Sequence, residues 1–223
     1  MEGTTFTLLQ LFEMGGHFMW PLLVFSIATT ALAVERTIYL FYHNLRLDDL
    51  REALRGYINS KDLAGARDYL AALTRRRMGA RILLTLVNRS SLSEQRLEKA
   101  VEAEALSCIG NLENGFNFLT TLGSLSPLTG FLGTVSGMIG AFKSIAEATE
   151  VNAQIVASGI YEALITTVFG LVIALVAVTA HSLLTHVVDK FAAEVEKTCS
   201  DLITELSVSG EPLADVPGES AAG

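Results

Sequence analysis

Three long segments with almost no charge dominate the pattern of hydrophobic and polar positions. The first covers 14–42 and is interrupted only by Glu35-Arg36, the second covers 114–142, and the third covers 155–188. A helix of about 20 apolar residues crosses the hydrocarbon of a bilayer. Each segment is therefore long enough to be a transmembrane helix, and no alternation typical of strands stands out anywhere in the chain.

The more polar segments also predict helices. Leu47, Leu50 and Leu54 recur at helical spacing, and 60–62 looks like a break before a second short helix. The stretch 75–113 has no proline and little glycine, and Ser93 with the charged residues that follow it predicts a charged helix that runs directly into the second span.

The pattern as a whole predicts an all-α membrane protein with three transmembrane helices and long helical extensions on the cytoplasmic side. In chain order, the predicted parts are an outer interfacial helix (1–13), transmembrane helix 1 (14–42), a cytoplasmic helical domain (43–113), transmembrane helix 2 (114–142), an outer loop (143–154), transmembrane helix 3 (155–188), a cytoplasmic helix (189–207) and a disordered tail (208–223).

The distribution of basic residues predicts the orientation. The segment between the first two spans holds twelve of the sixteen Lys and Arg residues, whereas 1–17 has none and the predicted outer loop has only Lys143. Basic loops stay on the cytoplasmic side of the membrane. We therefore expect the N-terminus outside and the C-terminus in the cytoplasm.

Composition narrows the class of protein further. Half of the chain is hydrophobic, 18% is charged and the mean hydropathy is +0.42, which is typical of a membrane protein. The net charge is −8 and no Lys/Arg-rich block with interleaved aromatic residues occurs, which argues against a nucleic-acid partner. Cys108 and Cys199 lie far apart, without metal-ligand or disulfide spacing. We expect two reduced thiols, no metal site and no cofactor.

Among the candidate functional residues, Glu162 gives the clearest indication of function. It is the only acid between Val151 and Val188, and an ionisable group at that depth is expensive and usually functional. Thr166 and Gly170 share its helical face, and Thr167 falls just beyond. This narrow polar stripe predicts a surface that faces a pore or a partner rather than lipid.

Small residues recur in the second and third spans at spacings that allow close helix packing. We predict that packing role for Gly130, Gly133, Gly137, Gly159 and Gly170. Tight packing alone is enough to explain these glycines, so they do not by themselves indicate a pore.

The polar residues of the second and third spans are expected to lie at similar depths in the membrane. At 1.5 Å per residue, Thr134 lies ~12 Å from the outer end of the second span and Glu162 ~10 Å from the outer end of the third. Thr166 and Thr167 lie one turn deeper, and His181 lies near the cytoplasmic exit. We predict that these five residues line a proton pathway. The alternative for the threonines is a bond to a carbonyl of their own helix, and for His181 a structural role.

Three stretches of this chain resemble the MotA/TolQ/ExbB proton-channel family, most of all its ExbB and TolQ branch. They are Gly15-Gly16-His17-Phe18-Met19-Trp20-Pro21-Leu22 with Ala33-Val34-Glu35-Arg36, Pro127-Leu128-Thr129-Gly130-Phe131-Leu132-Gly133-Thr134-Val135-Ser136-Gly137-Met138, and Gly159-Ile160-Tyr161-Glu162-Ala163-Leu164-Ile165-Thr166-Thr167 followed by Gly170-Leu171.

The resemblance implies a pentamer in the bacterial inner membrane whose second and third helices line a pore. The pore would enclose an ExbD/TolR-like single-span partner that supplies the essential aspartate, and a TonB/TolA-like protein is a further partner in that branch. Thr134, Glu162 and Thr167 match the family's polar pore positions. The family commonly has a proline after the Gly-Leu of the third helix, where this chain has Val176. The usual kink is therefore left open.

The resulting prediction is the pore-forming stator subunit of a motor driven by the proton gradient, which energises envelope transport or related mechanical work. Protons are favoured over sodium because the site has a single carboxyl. A passive oligomeric scaffold and a stator for surface gliding motility remain alternatives. An intramembrane enzyme is not expected, since the spans lack paired carboxylates, a nucleophile–base pair at matched depth and a metal cluster.

Overall fold

The computed structural model describes residues 8–147 and 153–208, and all regular structure within these ranges is α-helical. The helices are α1 Leu8–Met14, α2 Met19–Tyr42, α3 Asp48–Asn59, α4 Leu63–Leu73, α5 Met78–Asn88, α6 Glu94–Glu113, α7 Phe116–Glu147 and α8 Ala153–Val208. Three stretches are long and apolar enough to cross a membrane: Met19–Tyr42, one within Glu94–Glu147 and one within Val156–Ser207. The prediction of an all-α protein with three spans is confirmed.

The prediction that a charged helix runs directly into the second span is wrong. α6 ends at Glu113, and α7 begins at Phe116 after a two-residue turn. Gly115 has φ +91°, a left-handed conformation that only glycine adopts without strain. A Cβ there would also lie 3.0 Å from Arg36 Nε. The charged helix and the second span are therefore two separate helices.

The helix ends differ in detail from the predicted boundaries. α7 continues to Glu147, and α8 begins at Ala153, so both helices extend into the segment expected as an outer loop. Residues 148–152 of that loop, residues 1–7 of the expected interfacial helix and residues 209–223 of the expected tail lie outside the described residues. α8 is one helix through Val176 and through 189–207, the segment expected to be helical on the cytoplasmic side.

The chain divides into two compact units, which are described one at a time. The membrane-type unit comprises the described residues up to Arg36 and those between Gly115 and Leu184. The extension unit comprises Thr37–Asn114 and the described residues from Thr185.

The extension unit is a leucine-rich helical bundle. α3 packs on α4, α4 on α5 and α5 on α6, and the side chains of Leu50, Leu54 and Leu83 are almost fully buried. The break predicted at 60–62 is confirmed: α3 ends at Asn59, and Asp62 caps α4 by accepting a 2.9 Å bond from the Gly65 backbone N–H. An Asp at this position satisfies a helix-end N–H group that has no partner within the helix.

Ion pairs and buried thiols complete the extension unit. Arg51 and Arg55 of α3 pair with Asp201 and Glu205 of α8 at 2.5 Å. Both pairs are partly exposed, so each stabilises the bundle by about 1 kcal/mol or less. Cys108 and Cys199 are unpaired and buried, as expected. Burial raises the pKa of the Cys108 thiol and raises that of Cys199 to about 12, so neither is a nucleophile at neutral pH.

In the membrane-type unit, α8 packs against both α2 and α7. Met19 and Leu22 of α2 form a buried cluster with Ile165 and Ile173 of α8. The outward surface stays apolar: the large side chains of this unit that are at least 60% exposed include Ile27, Phe131, Ile139 and Leu175. A water-soluble monomer rarely exposes so much apolar area. Such faces suit contact with lipid or with other subunits.

Candidate functional site

α7 and α8 meet backbone to backbone along a row of small residues, here called the glycine seam. A Cβ on Gly130 would lie 2.8 Å from the Thr166 carbonyl oxygen, and a Cβ on Gly170 would lie 2.5 Å from that of Ser126. Real Cβ atoms do not approach backbone atoms so closely. Side chains are therefore excluded at these points, and the depth of α8 relative to α7 is set by backbone contact.

The other predicted packing glycines also lie in the glycine seam. A Cβ on Gly133 would lie 2.7 Å from Thr166 Cβ, one on Gly137 would lie 3.1 Å from the Gly159 carbonyl oxygen, and one on Gly159 would meet Ala141. Gly140, one turn from Gly137, has no other atom within 4 Å of its Cβ position. A side chain on Gly130, Gly133 or Gly137 would therefore disturb the contact with α8, whereas a side chain on Gly140 would extend into open space.

Two threonines of α8 reach a single carbonyl of α7. Thr166 is 1% exposed, and its hydroxyl oxygen lies 2.8 Å from the Ala163 carbonyl oxygen and 3.2 Å from that of Gly130. Thr167 Oγ1 lies 3.4 Å from the same Gly130 oxygen and is only partly buried. Thr166 is therefore enclosed within the glycine seam, whereas Thr167 lies at its edge. The pattern of small residues did not indicate that Gly130 accepts from the neighbouring helix.

Thr134 and His181 make contacts inside the same unit. Thr134 Oγ1 donates to the Phe131 carbonyl oxygen of its own helix at 2.7 Å, and the side chain is partly exposed. Because Gly133 meets Thr166 and Gly137 meets Ala163, Thr134 lies level with the turn of α8 between those residues. His181 Nδ1 lies 3.4 Å from Thr120 Oγ1.

Glu162 lies beside the turn that joins α1 to α2. Gly16 in this turn has φ +66°, and a Cβ there would collide with Glu162 Oε1 and lie 2.8 Å from Cδ. The Glu162 side chain also lines a groove of about 770 Å³ between the last turns of α7 and the first turns of α8. The sequence analysis assigned no role to Gly16. The feature that could have indicated one is the pair of adjacent glycines, Gly15-Gly16, just before α2.

The structure does not gather the five predicted pathway residues into one cluster. Glu162 lines the groove, whereas Thr134, Thr166, Thr167 and His181 do not. Thr166 is enclosed in the glycine seam, whereas Thr134 and Thr167 lie at its partly exposed edges.

Comparison with known proteins identifies the family. The family model described as "MotA/TolQ/ExbB proton channel family" matches residues 69–197, more than half of the chain. This chain belongs to the MotA/TolQ/ExbB proton channel family. The matched range contains the whole of α7, Glu162 and His181, so it includes the glycine seam and excludes Gly16.

Individual relatives agree with this membership in the MotA/TolQ/ExbB family. The chain is 31% identical over 198 residues to biopolymer transport protein exbB1 of Vibrio cholerae, covering 86% of this chain and 85% of that protein. It is 34% identical over 201 residues to a putative ExbB-like biopolymer transport protein of Synechocystis sp., covering 83% and 75%. A shorter match of 74 residues is 46% identical to the Tol-Pal system protein TolQ of Haemophilus influenzae, covering 33% and 32%.

Proposed function

We propose that this protein is the pore-forming stator subunit of a complex in the bacterial inner membrane that is driven by the proton gradient. Its membership in a proton channel family and its three spans support the proposal. The observation that carries it is the α7–α8 pair, in which backbone contact holds the helices together while Glu162, Thr134 and Thr167 stay outside the enclosed part of the glycine seam. Polar groups at the edges of a pair of membrane helices are more stable in contact with water than in contact with lipid.

The proposed assembly is a homo-oligomer, a pentamer by resemblance, in which α7 and α8 of each copy surround an ExbD/TolR-like single-span partner. The exposed apolar side chains of α7, such as Phe131 and Ile139, support contacts between neighbouring copies or with lipid. Thr134 and Thr167 would line the lumen and offer hydroxyls to water. Thr166 contributes to the seam itself, where its hydroxyl is already bonded to carbonyl oxygens.

In the proposed route, protons enter from the outer side near Glu162, pass to an acid of the partner, and leave toward the cytoplasm. His181 is partly exposed beside Thr120 near the inner end and is proposed as a relay there, because imidazole changes charge near neutral pH. The excess of Lys and Arg between the first two spans supports a cytoplasmic extension unit. Each proton that crosses 100 mV releases roughly 2.3 kcal/mol, which can drive movement of the partner.

The energised process is proposed from the relatives' names. Two matches of about 200 residues are to biopolymer transport proteins, which favours transport across the envelope with a TonB/TolA-like protein as the next component. The TolQ match is confined to 74 residues and gives weaker support for an envelope-maintenance role.

The experiment is a flux measurement on purified protein in liposomes. Copies of this chain, with and without the co-purified single-span partner, are exposed to a proton gradient while the internal pH is followed by a fluorescent dye. We expect proton entry at least tenfold above empty liposomes when both proteins are present. Entry no faster than in empty liposomes, from a complex shown to be assembled, would favour a passive scaffold.

A further inference from the structure

The turn between α1 and α2 lies directly against the carboxyl group of Glu162. Gly16 occupies the left-handed region at φ +66°, and the position that a Cβ would take is already filled by Glu162 Oε1. The backbone conformation therefore favours glycine at this position, and a Cβ there would displace the flexible end of the Glu162 side chain. Neither feature involves α7.

Glu162 also lines a groove. The groove of about 770 Å³ runs between α7 and α8 from the end of α1, and its lining includes Met14, Ser136, Gly140 and Ser158 besides Glu162. Hydroxyl groups and bare backbone suit water, and a volume of this size holds several molecules, since each occupies ≈ 30 Å³ in the liquid. The Glu162 side chain is partly exposed. The Glu162 side chain therefore contacts the Gly16 turn and also lines the groove.

We propose that the groove is the water-filled access route to Glu162, and that Gly16 is a positioning residue that holds the carboxyl at the inner end of this route. A side chain at Gly16 would push the carboxyl away from the turn, and the groove that Glu162 also lines gives it room to move. This inference deepens the proposed function and rests on it for the claim that Glu162 takes part in proton transfer. The geometric claim, however, can be tested without any transport.

The test measures how fast water-borne reagents reach Glu162. The complex in lipid nanodiscs is treated with a water-soluble carbodiimide and glycine ethyl ester, and the adduct at Glu162 is quantified by peptide mass spectrometry. Gly140→Trp fills the groove, because the Gly140 side faces open space, and should slow labelling at least fivefold. Gly140→Ala adds one methyl group there and should change labelling less than twofold.

Gly16→Ala should speed labelling at least threefold, because the displaced carboxyl moves into the groove. Gly115→Ala is the matched control: it places a Cβ on another left-handed glycine, φ +91°, whose Cβ position is close to Arg36 instead of Glu162. It should leave labelling unchanged. In a Glu162→Asp background the carboxyl is withdrawn by one methylene, so Gly16→Ala should then change labelling less than twofold.

Specific results would overturn the proposal. Unchanged labelling in Gly140→Trp rules out the groove as the access route. Unchanged or slower labelling in Gly16→Ala, or the same effect of Gly16→Ala in both Glu162 and Glu162→Asp backgrounds, rules out positioning through Glu162. If the expected labelling pattern appears but the wild-type complex conducts no protons, the positioning claim stands and the proposed function fails. The two failures are therefore distinguishable.

Discussion

Replacing Glu162 by glutamine is expected to lower proton flux through the assembled complex at least tenfold. Glutamine keeps the size of the side chain but cannot ionise, so the route loses the one acid that α8 contributes between Val151 and Val188. A tenfold change corresponds to about 1.4 kcal/mol in the barrier to proton transfer. The measurement is the liposome assay with partner present, after ring assembly has been verified by native mass.

The control for this variant is Glu147→Gln. Glu147 lies at the end of α7, its side chain is 70% exposed, and it contacts only Lys143 among the ion pairs of the described residues. Its flux should remain within twofold of wild type. Thr167→Val should lower flux as well, by about threefold to tenfold if its hydroxyl solvates the lumen, a range that corresponds to 0.7–1.4 kcal/mol. Thr30→Val, which removes an exposed hydroxyl from α2, should leave the proton flux unchanged. Full flux in an assembled Glu162→Gln complex would remove Glu162 from the pathway.

Gly170→Ala is expected to destabilise the membrane-type unit by about 1–3 kcal/mol, the usual cost of an extra methyl group in a well-packed interior. The added Cβ would lie 2.5 Å from the Ser126 carbonyl oxygen and 3.3 Å from Gly130 Cα. Both neighbours are backbone atoms, so no flexible side chain can move aside and the helices must separate. Separation also lengthens the bonds from Thr166 and Thr167 to the Gly130 carbonyl. The check is the thermal unfolding midpoint of the purified complex, followed by near-UV circular dichroism.

Gly140→Ala separates this packing effect from the intrinsic effect of alanine in a helix. Its Cβ has no other atom within 4 Å, and alanine is the better helix former, so stability should be unchanged or slightly higher. Equal unfolding midpoints for Gly170→Ala and wild type would show that α7 and α8 are not in backbone contact.

The spans and the small-residue spacing were accessible from the sequence for clear physical reasons. Charge is so costly in hydrocarbon that uncharged runs of sufficient length leave few alternatives, and the three predicted spans match three helices of the structure. Spacing of glycines at one helical face is equally direct, because the 3.6-residue period places them in a row. The break before α4 was visible because Asp62 can cap a helix.

Other features depend on contacts that no local pattern specifies. α6 ends at Glu113, and the left-handed turn at Gly115 that follows is a backbone conformation that a charged, proline-free stretch did not predict. The contact of Gly16 with Glu162 joins residues far apart in the chain, and helical periodicity within α8 says nothing about the α1–α2 turn. Periodicity also placed Thr166 on the same face as Glu162, although the packing of α7 encloses Thr166 and leaves Glu162 at the groove.

The central claim is that the edges of the α7–α8 pair face a hydrated conduit enclosed by several copies of this chain. The most direct measurement is the structure of the complex in lipid nanodiscs by electron cryomicroscopy, at a resolution that shows side chains and ordered water. We expect a closed ring in which Thr134 and Thr167 face the lumen and the carboxyl of Glu162 contacts water. A Glu162 carboxyl packed against lipid acyl chains, or a single copy with no enclosed conduit, would contradict the account.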